Sequence, residues 1–266
     1  MSTQPYDTLA EVYEWLVPDN LLTPEGSAAV FSPLLDTLDR SARILDCAAG
    51  SGQLAIGLAA RGFNVVATDA SAGMIARTRT LATEYSLDLP VLVCGWEELP
   101  ARGLGRFDAV LCVGNSLAHA PGQAARRVAL AAMASILRDQ GLLVITSRNW
   151  EKARNQGSGI EIADRTTERH GRTGLVVRAW TIPDSWEQPH YLDVAVVLFD
   201  HPPAVTTKCE RLSLWPFTHK TLEQDLRSAG LAQDTSTYTP AVDRYLITAR
   251  RTPPAPAARS PSNRTA

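Results

Sequence analysis

The stretch that most restricts this chain runs Arg43-Ile44-Leu45-Asp46-Cys47-Ala48-Ala49-Gly50-Ser51-Gly52, then Leu54, Ile56, Leu58 and Ala59, then Asn64-Val65-Val66-Ala67-Thr68-Asp69. An apolar run ending in an acid, a loop of small residues and an apolar periodic segment predict strand, tight turn and helix. Gly62 closes that helix, and 64–68 reads as a second buried strand ending at Asp69. Gly50 and Gly52 can take positive φ, which would leave the first-turn amides of the helix free for a polar group. An acid at the end of the second strand, about 20 residues past such a loop, is where doubly wound sheets hold a ribose. The stretch therefore implies an α/β sheet with an adenosine-type ligand.

Glycine spacing narrows the ligand. A dinucleotide site wants G-x-G-x-x-G, whereas Gly57 follows Gly50 and Gly52 at the wrong interval, which argues against NAD. "ILDCAAGSG" followed by "VVATDAS" resembles motifs I and II of the class I S-adenosylmethionine (SAM) dependent methyltransferases, with Ala48 in the variant that the glycine/sarcosine N-methyltransferase branch also uses. "FDAVLCVGNSLAH" over 107–119 and "GLLVITSRNW" over 141–150 resemble the same branch. This resemblance implies a Rossmann-like, seven-stranded sheet and SAM as cofactor. It assigns Asp46, Ala48, Gly50, Gly52, Asp69, Ala70, Met74, Trp96, Glu97 and Val113 to the cofactor. It implies a substrate carboxylate on Arg148, with Tyr6 near the transferred methyl group, Asn115 on the amine or carboxylate, and His119 as a proton acceptor. The branch also uses an N-terminal arginine on the SAM carboxylate, but residues 1–39 contain no Arg or Lys. Loop amides are the alternative holder.

Each of these residues also has a plainer reading. Tyr6 and Tyr13 lie on a helical stripe over 6–17 that is either a lid or a core-packing face. Trp96 is an adenine platform or a hydrophobic plug, and Gly95 stands where relatives place an amide or acid. Asn115 can satisfy turn amides, and His119 can begin a helix. Arg148 suits a carboxylate because its planar fork makes two parallel bonds, although arginines at strand ends are commonly surface ion pairs.

Along the chain, Pro24 and Gly26 read as breaks before a helix over 27–39, and Ser71 caps a helix reaching Tyr85. A third strand falls at 90–94. An alanine-rich helix over 123–139 offers Val128, Leu130, Met133 and Leu137 for burial and ends at Gly141. Segments 160–166, 174–182, 190–199 and 205–215 alternate or run apolar between turn signals and predict an antiparallel meander inserted after strand five. Trp180, Trp186, Trp215 and Phe217 belong to its pocket wall or to its core. A helix over 218–230 and strands at 232–238 and 244–250 follow. The expected division is N-terminal lid helices at 1–40, a SAM-binding core at 41–149, a substrate cap at 150–217, completion of the core sheet at 218–250 and a disordered tail at 251–266.

The 266 residues carry a formal net charge of −2, which offers no basic field for a nucleic-acid backbone. No signal peptide or membrane span is visible, and Cys47, Cys94, Cys112 and Cys209 are scattered without C-x-x-C spacing. A cytoplasmic enzyme follows, with a small-molecule substrate, no metal, no nucleic-acid or membrane partner, and a homodimer left open. N-methylation of a small amine such as glycine or sarcosine is the first expectation. O- or C-methylation of a larger metabolite and a non-catalytic SAM-binding accessory role are the alternatives.

Overall fold

The computed structural model describes residues 5–200 and 204–252. The predicted first strand, helix and second strand form as β1 (Arg43–Asp46), α3 (Gln53–Ala60) and β2 (Asn64–Asp69), preceded by α1 (Pro5–Leu9) and α2 (Pro24–Leu35). Next come α4 (Ala72–Glu84), β3 (Val91–Val93), β4 (Phe107–Cys112), α5 (Gly122–Ile136) and β5 (Leu137–Arg148). With α7 (His219–Ser228), β11 (Leu231–Ser236) and β12 (Arg244–Arg251), these strands make one seven-stranded sheet, ordered β11-β12-β5-β4-β1-β2-β3. Strands β1 to β5 are mutually parallel, and β12 runs antiparallel to β5.

Both faces of this sheet are buried, so its central strands read as continuous apolar runs. Ile44, Ala109 and Val144 pack with α2 and α3 on one face, while Leu45, Val110 and Leu143 pack with Leu130, Met133 and Leu222 on the other. Ser71 caps α4 as predicted, its hydroxyl accepting from Met74 N.

Helix boundaries differ from the sequence reading in several places: the stripe over 6–17 is α-helical only in α1 and continues as a tighter helical turn over Ala10–Trp15, α2 ends at Leu35 and not at 39, and the start of α2 and the end of α5 also move. Pro24 does not break the chain: it opens α2, where its fixed φ fits the first turn, and the Thr23 hydroxyl accepts from Gly26 N. Helix α5 stops at Ile136, five residues before Gly141, because Leu137 already pairs with Phe107 in β5. Gln140 takes φ 62° in the irregular stretch that follows, and Val128, expected inward, is exposed.

After α6 (Trp150–Gln156) the chain builds a second sheet from β6 (Gly159–Ile162), β7 (Thr167–Arg169), β8 (Arg172–Thr181), β9 (His190–Asp200) and β10 (Ala204–Leu214). Its order is β10-β9-β8-β6, with β7 pairing to β8, the antiparallel insertion that the alternation predicted.

The N-terminal segment joins the two sheets. Asp7 accepts from Ser71 Oγ and Gly73 N at the start of α4, and Glu14 contacts both Arg77 of α4 and His170 of the β7–β8 turn. Trp15 lies against Gly174 of β8, where an added Cβ would come within 2.4 Å of Trp15 Nε1. The tail expected to be disordered falls beyond residue 252, apart from its first two residues, outside the described residues.

Candidate active site

The loop after β1 is held by side chains and backbone from three neighbours. Gly50 N donates to Asp69 Oδ2 at 2.9 Å, Thr78 Oγ1 donates to Gly50 O at 2.8 Å, and Trp96 Nε1 donates to Cys47 O at 2.8 Å. Gly52 sits at φ 94°, and a Cβ there would lie 2.7 Å from Thr78 Cγ2, so both conformation and space demand glycine. Three of the loop amides considered as holders of a carboxylate are already engaged: Ala49 N bonds to Thr68 O, Gly50 N to Asp69 and Gly52 N to Ala49 O. The first turn of α3, whose amides the sequence leaves for a polar group, lines the cavity at Gln53 and Leu54.

Asp46 is buried at the end of β1, and burial pushes its carboxyl up to about 7, opposed by the Ala48 N–H and assisted by Asp69. Burial also raises Asp69, although the N–H groups of Ser71 and Gly50 favour its charged form. A cation entering this end would favour both carboxylates in their ionised state.

At the other end, β4 and β5 present their carboxyl ends side by side. Asn115 takes φ 69°, its N–H donates to Thr146 O, and its Oδ1 accepts from Arg148 N at 2.9 Å. With its backbone N–H and Oδ1 so engaged, the donor Asn115 has left for the cavity it lines is the side-chain Nδ2. His119 Nε2 lies 3.0 Å from Tyr6 Oη, and the rings meet edge-on. Burial pushes His119 down to about 4, against a hydrogen bond to the Ser213 backbone that favours its charged form. The imidazole is therefore neutral near pH 7 and available to accept the Tyr6 proton in a hydrogen bond. Arg148 places its guanidinium 4.4 Å from the Trp180 ring centroid.

A cavity of about 800 Å³ joins the two ends. Of the residues singled out from sequence, Tyr6, Asp46, Ala48, Val113, Asn115, His119 and Arg148 line it. Gly50, Gly52, Asp69, Ala70, Met74, Trp96 and Glu97 do not. Met74 is a core side chain, Glu97 is exposed, and Trp96 spends its N–H on the loop.

Further polar residues line the cavity, among them Gln53, Glu161, Arg178 and Arg244. One of them left a local trace, since Arg178 occupies the apolar alternation Gly174, Val176, Trp180 of β8. Of the four aromatics left between pocket and core, Trp180 lines the cavity, Phe217 is buried, and the 39% exposed Trp186 stacks under Arg154. Among the described residues, no group of three or more His, Cys, Asp or Glu is placed to hold a metal ion, and no helix is long and apolar enough to cross a membrane.

Residues 44–141 match the family model described as a methyltransferase domain. The chain is 34% identical to the glycine/sarcosine N-methyltransferase of Aphanothece halophytica over 43% of each sequence. It is 37% identical to the human glycine N-methyltransferase, again over 43% of each. It thus spans less than half the length of these curated relatives. Among solved structures, the CcbJ methyltransferase of Streptomyces caelestis superposes with a TM-score of 0.74 at 18% identity, covering 94% of this chain and 99% of that one. The sugar N-methyltransferase KedS8 of a Streptoalloteichus species gives 0.70 at 21% identity, covering 95% of each. The fold is that of the class I methyltransferases.

Proposed function

From a chain whose residues 44–141 carry a methyltransferase domain, we propose a SAM-dependent enzyme that methylates the amine of a small molecule bearing a carboxylate, glycine and sarcosine being the simplest examples. The observation that carries this reading is the joining of the glycine-loop end and the Asn115–Arg148 end in one cavity. SAM, when bound, supplies an electrophilic methyl on a sulfonium, so that an N–C bond forms as the C–S bond breaks and S-adenosylhomocysteine leaves.

In this reading the cofactor fits the first end by its charges. Asp46, which lines the cavity, would match its cationic groups, and the first turn of α3 at Gln53 and Leu54 would receive its carboxylate. Arg148 and Asn115 Nδ2 hold the substrate carboxylate, which fixes the amine relative to the methyl carbon. A free ammonium with a pKa of about 10.4 costs roughly 4–5 kcal/mol to deprotonate at pH 7. Proximity to the guanidiniums lowers that cost by disfavouring the charged amine. The amine proton passes to solvent, and Tyr6, held by His119, orients its phenol oxygen lone pairs toward the reacting groups. The second sheet, over 150–217, serves as substrate cap. Cys47, Cys94 and Cys112 are buried free thiols, which suits a reducing cytoplasm.

A second reading, O- or C-methylation of a larger metabolite, draws on the apolar wall of the same cavity and on neutral His119 as base. Incubation with methyl-labelled SAM and a panel of amino acids, simple amines and phenols distinguishes the two. N-methylated product from an amino acid is the expected result. Label appearing only on phenols would replace the first reading with the second, and SAM binding with no product from any acceptor would leave an accessory role.

A further inference from the structure

The wall that the second sheet gives the cavity is graded, and strand register produces the gradient. Directly paired residues of antiparallel strands share one face. One row across the sheet is Glu161–Arg178–Val194–Glu210, and the next is Trp180–Leu192–Leu212, with Leu214 beyond it opposite His190. Of the residues on this face that line the cavity, those of β6 and β8 are charged or aromatic and those of β9 and β10 are aliphatic, Glu210 and His190 lying outside the cavity lining. Leu192, Val194, Leu212 and Leu214 are buried and all four line the cavity. Glycine has no side chain to meet them.

The charged side is unbalanced. Arg148, Arg178 and Arg244 line the cavity there against the one lining carboxylate of Glu161, while Asp243, near Arg148 and Arg244 but outside the lining, is paired with Lys152. Arg244 is directly paired with Arg148 across β12 and β5. Among the described residues, no carboxylate lies within ion-pair distance of any of the three guanidiniums. Arg178 makes one long bond, 3.4 Å, to Leu16 O, and Arg148 rests on the Trp180 ring, which leaves its N–H edge unspent. Burial pushes both Arg148 and Arg178 downward, yet guanidinium stays charged in water-accessible sites. Half-buried cations without partners are unfavourable, and a carboxylate bound by two forks supplies what they lack.

We propose that the methyl acceptor is an apolar carboxylic acid bulkier than glycine, its carboxylate shared by Arg148 and Arg178 and its side chain laid on Leu192, Val194, Leu212 and Leu214. Leucine-like and phenylalanine-like amino acids have this chemistry. The choice of amine as the methylated atom rests on the function proposed above, whereas the carboxylate and the apolar body follow from the cavity itself.

Two measurements test this separately. Protein loaded with S-adenosylhomocysteine is titrated calorimetrically with acetate, 4-methylpentanoate and 4-methylpentanamide. The expected order has 4-methylpentanoate at least tenfold tighter than both others. Arg178→Gln weakens 4-methylpentanoate about tenfold, and Leu212→Ala reduces its advantage over acetate at least threefold. Equal affinity for acetate and 4-methylpentanoate, or for the acid and its amide, overturns the proposal.

The second measurement compares methylation of glycine, leucine and leucinamide. A higher kcat/KM for leucine than for glycine or leucinamide supports the proposal. A preference for glycine overturns it while keeping the amine reading, and turnover of none of the three alongside the expected binding order supports the pocket assignment and removes the amine reading instead.

Discussion

The two ends of the cavity are built from opposite materials. The end beside β1 and β2 offers the buried carboxylate of Asp46, with the half-buried Asp69 behind the loop, and the first turn of α3, all from residues 46–69. The end beside β5, β8 and β12 offers three guanidiniums and a leucine wall, drawn from positions nearly a hundred residues apart in sequence. The methyltransferase-domain match covers the first end and stops at residue 141, before Arg148, Arg178 and Arg244 are reached. A family resemblance centred on the loop thus informs the cofactor far more directly than the acceptor. The contrast in charge also orients the pair: cation toward the aspartates, carboxylate toward the arginines.

The sharpest way to break this division is at the loop. Gly52→Val forces a β-branched residue to φ 94° and into Thr78, and it is expected to weaken SAM binding at least 100-fold by calorimetry. Affinity within tenfold of the parent protein would mean that the loop is not the cofactor end. Next in size, Arg148→Gln removes one fork from the acceptor end, worth about 2 kcal/mol, or roughly 30-fold in KM for an amino acid. The SAM dissociation constant should stay within about twofold, and an equal loss for both ligands would erase the distinction between ends.

A smaller effect concerns Asp46, whose carboxyl lies at about 7 without a cation nearby. A cationic ligand favours its ionised form, so SAM affinity should rise from pH 6 to pH 8 with release of a proton. Asp46→Asn should flatten that slope, a change of about tenfold, and a slope that persists in the variant would point to another group.

The smallest effect lies where the ends meet, at His119. Its folded pKa, about 4, is below the ordinary histidine value, so its contribution to stability is complete above roughly pH 6.5 and is lost as pH falls toward 4. In His119→Asn this share of the acid loss should vanish, leaving the unfolding free energies at pH 7 and pH 5.5 closer together by about 1 kcal/mol. Burial pushes Asp46 the opposite way, which is why the comparison is between variant and parent. An unchanged gap would show that His119 is solvated.

The same contrast explains what could be read without coordinates. The β1–loop–α3–β2 unit is a contiguous run in which each local signal agrees with the fold: apolar strands, glycines where φ turns positive and an acid at each strand end. Asn115 and Arg148 were legible because they close strands that the hydrophobic pattern already marks. Pro24 and Gly141 misled because the same residue types serve both inside and outside an element, and sheet pairing at Leu137 decided where α5 ended. Arg244 carried no local sign at all, since only the antiparallel pairing of β12 with β5 brings it to Arg148. The loop-amide alternative lost Gly50 N for a related reason: Asp69, which the sequence places at a ribose, also closes the loop by accepting from it.

Trp15, seated on Gly174, ties these observations to motion. The peptide that carries Tyr6 over the acceptor end and Tyr13 beside Gly50 is keyed into the second sheet by an indole and fastened to α4 by Asp7 and Glu14. One strap therefore roofs two chambers. Lifting it would uncover both, so in the proposed reaction the spent cofactor and the methylated product would leave past the same peptide.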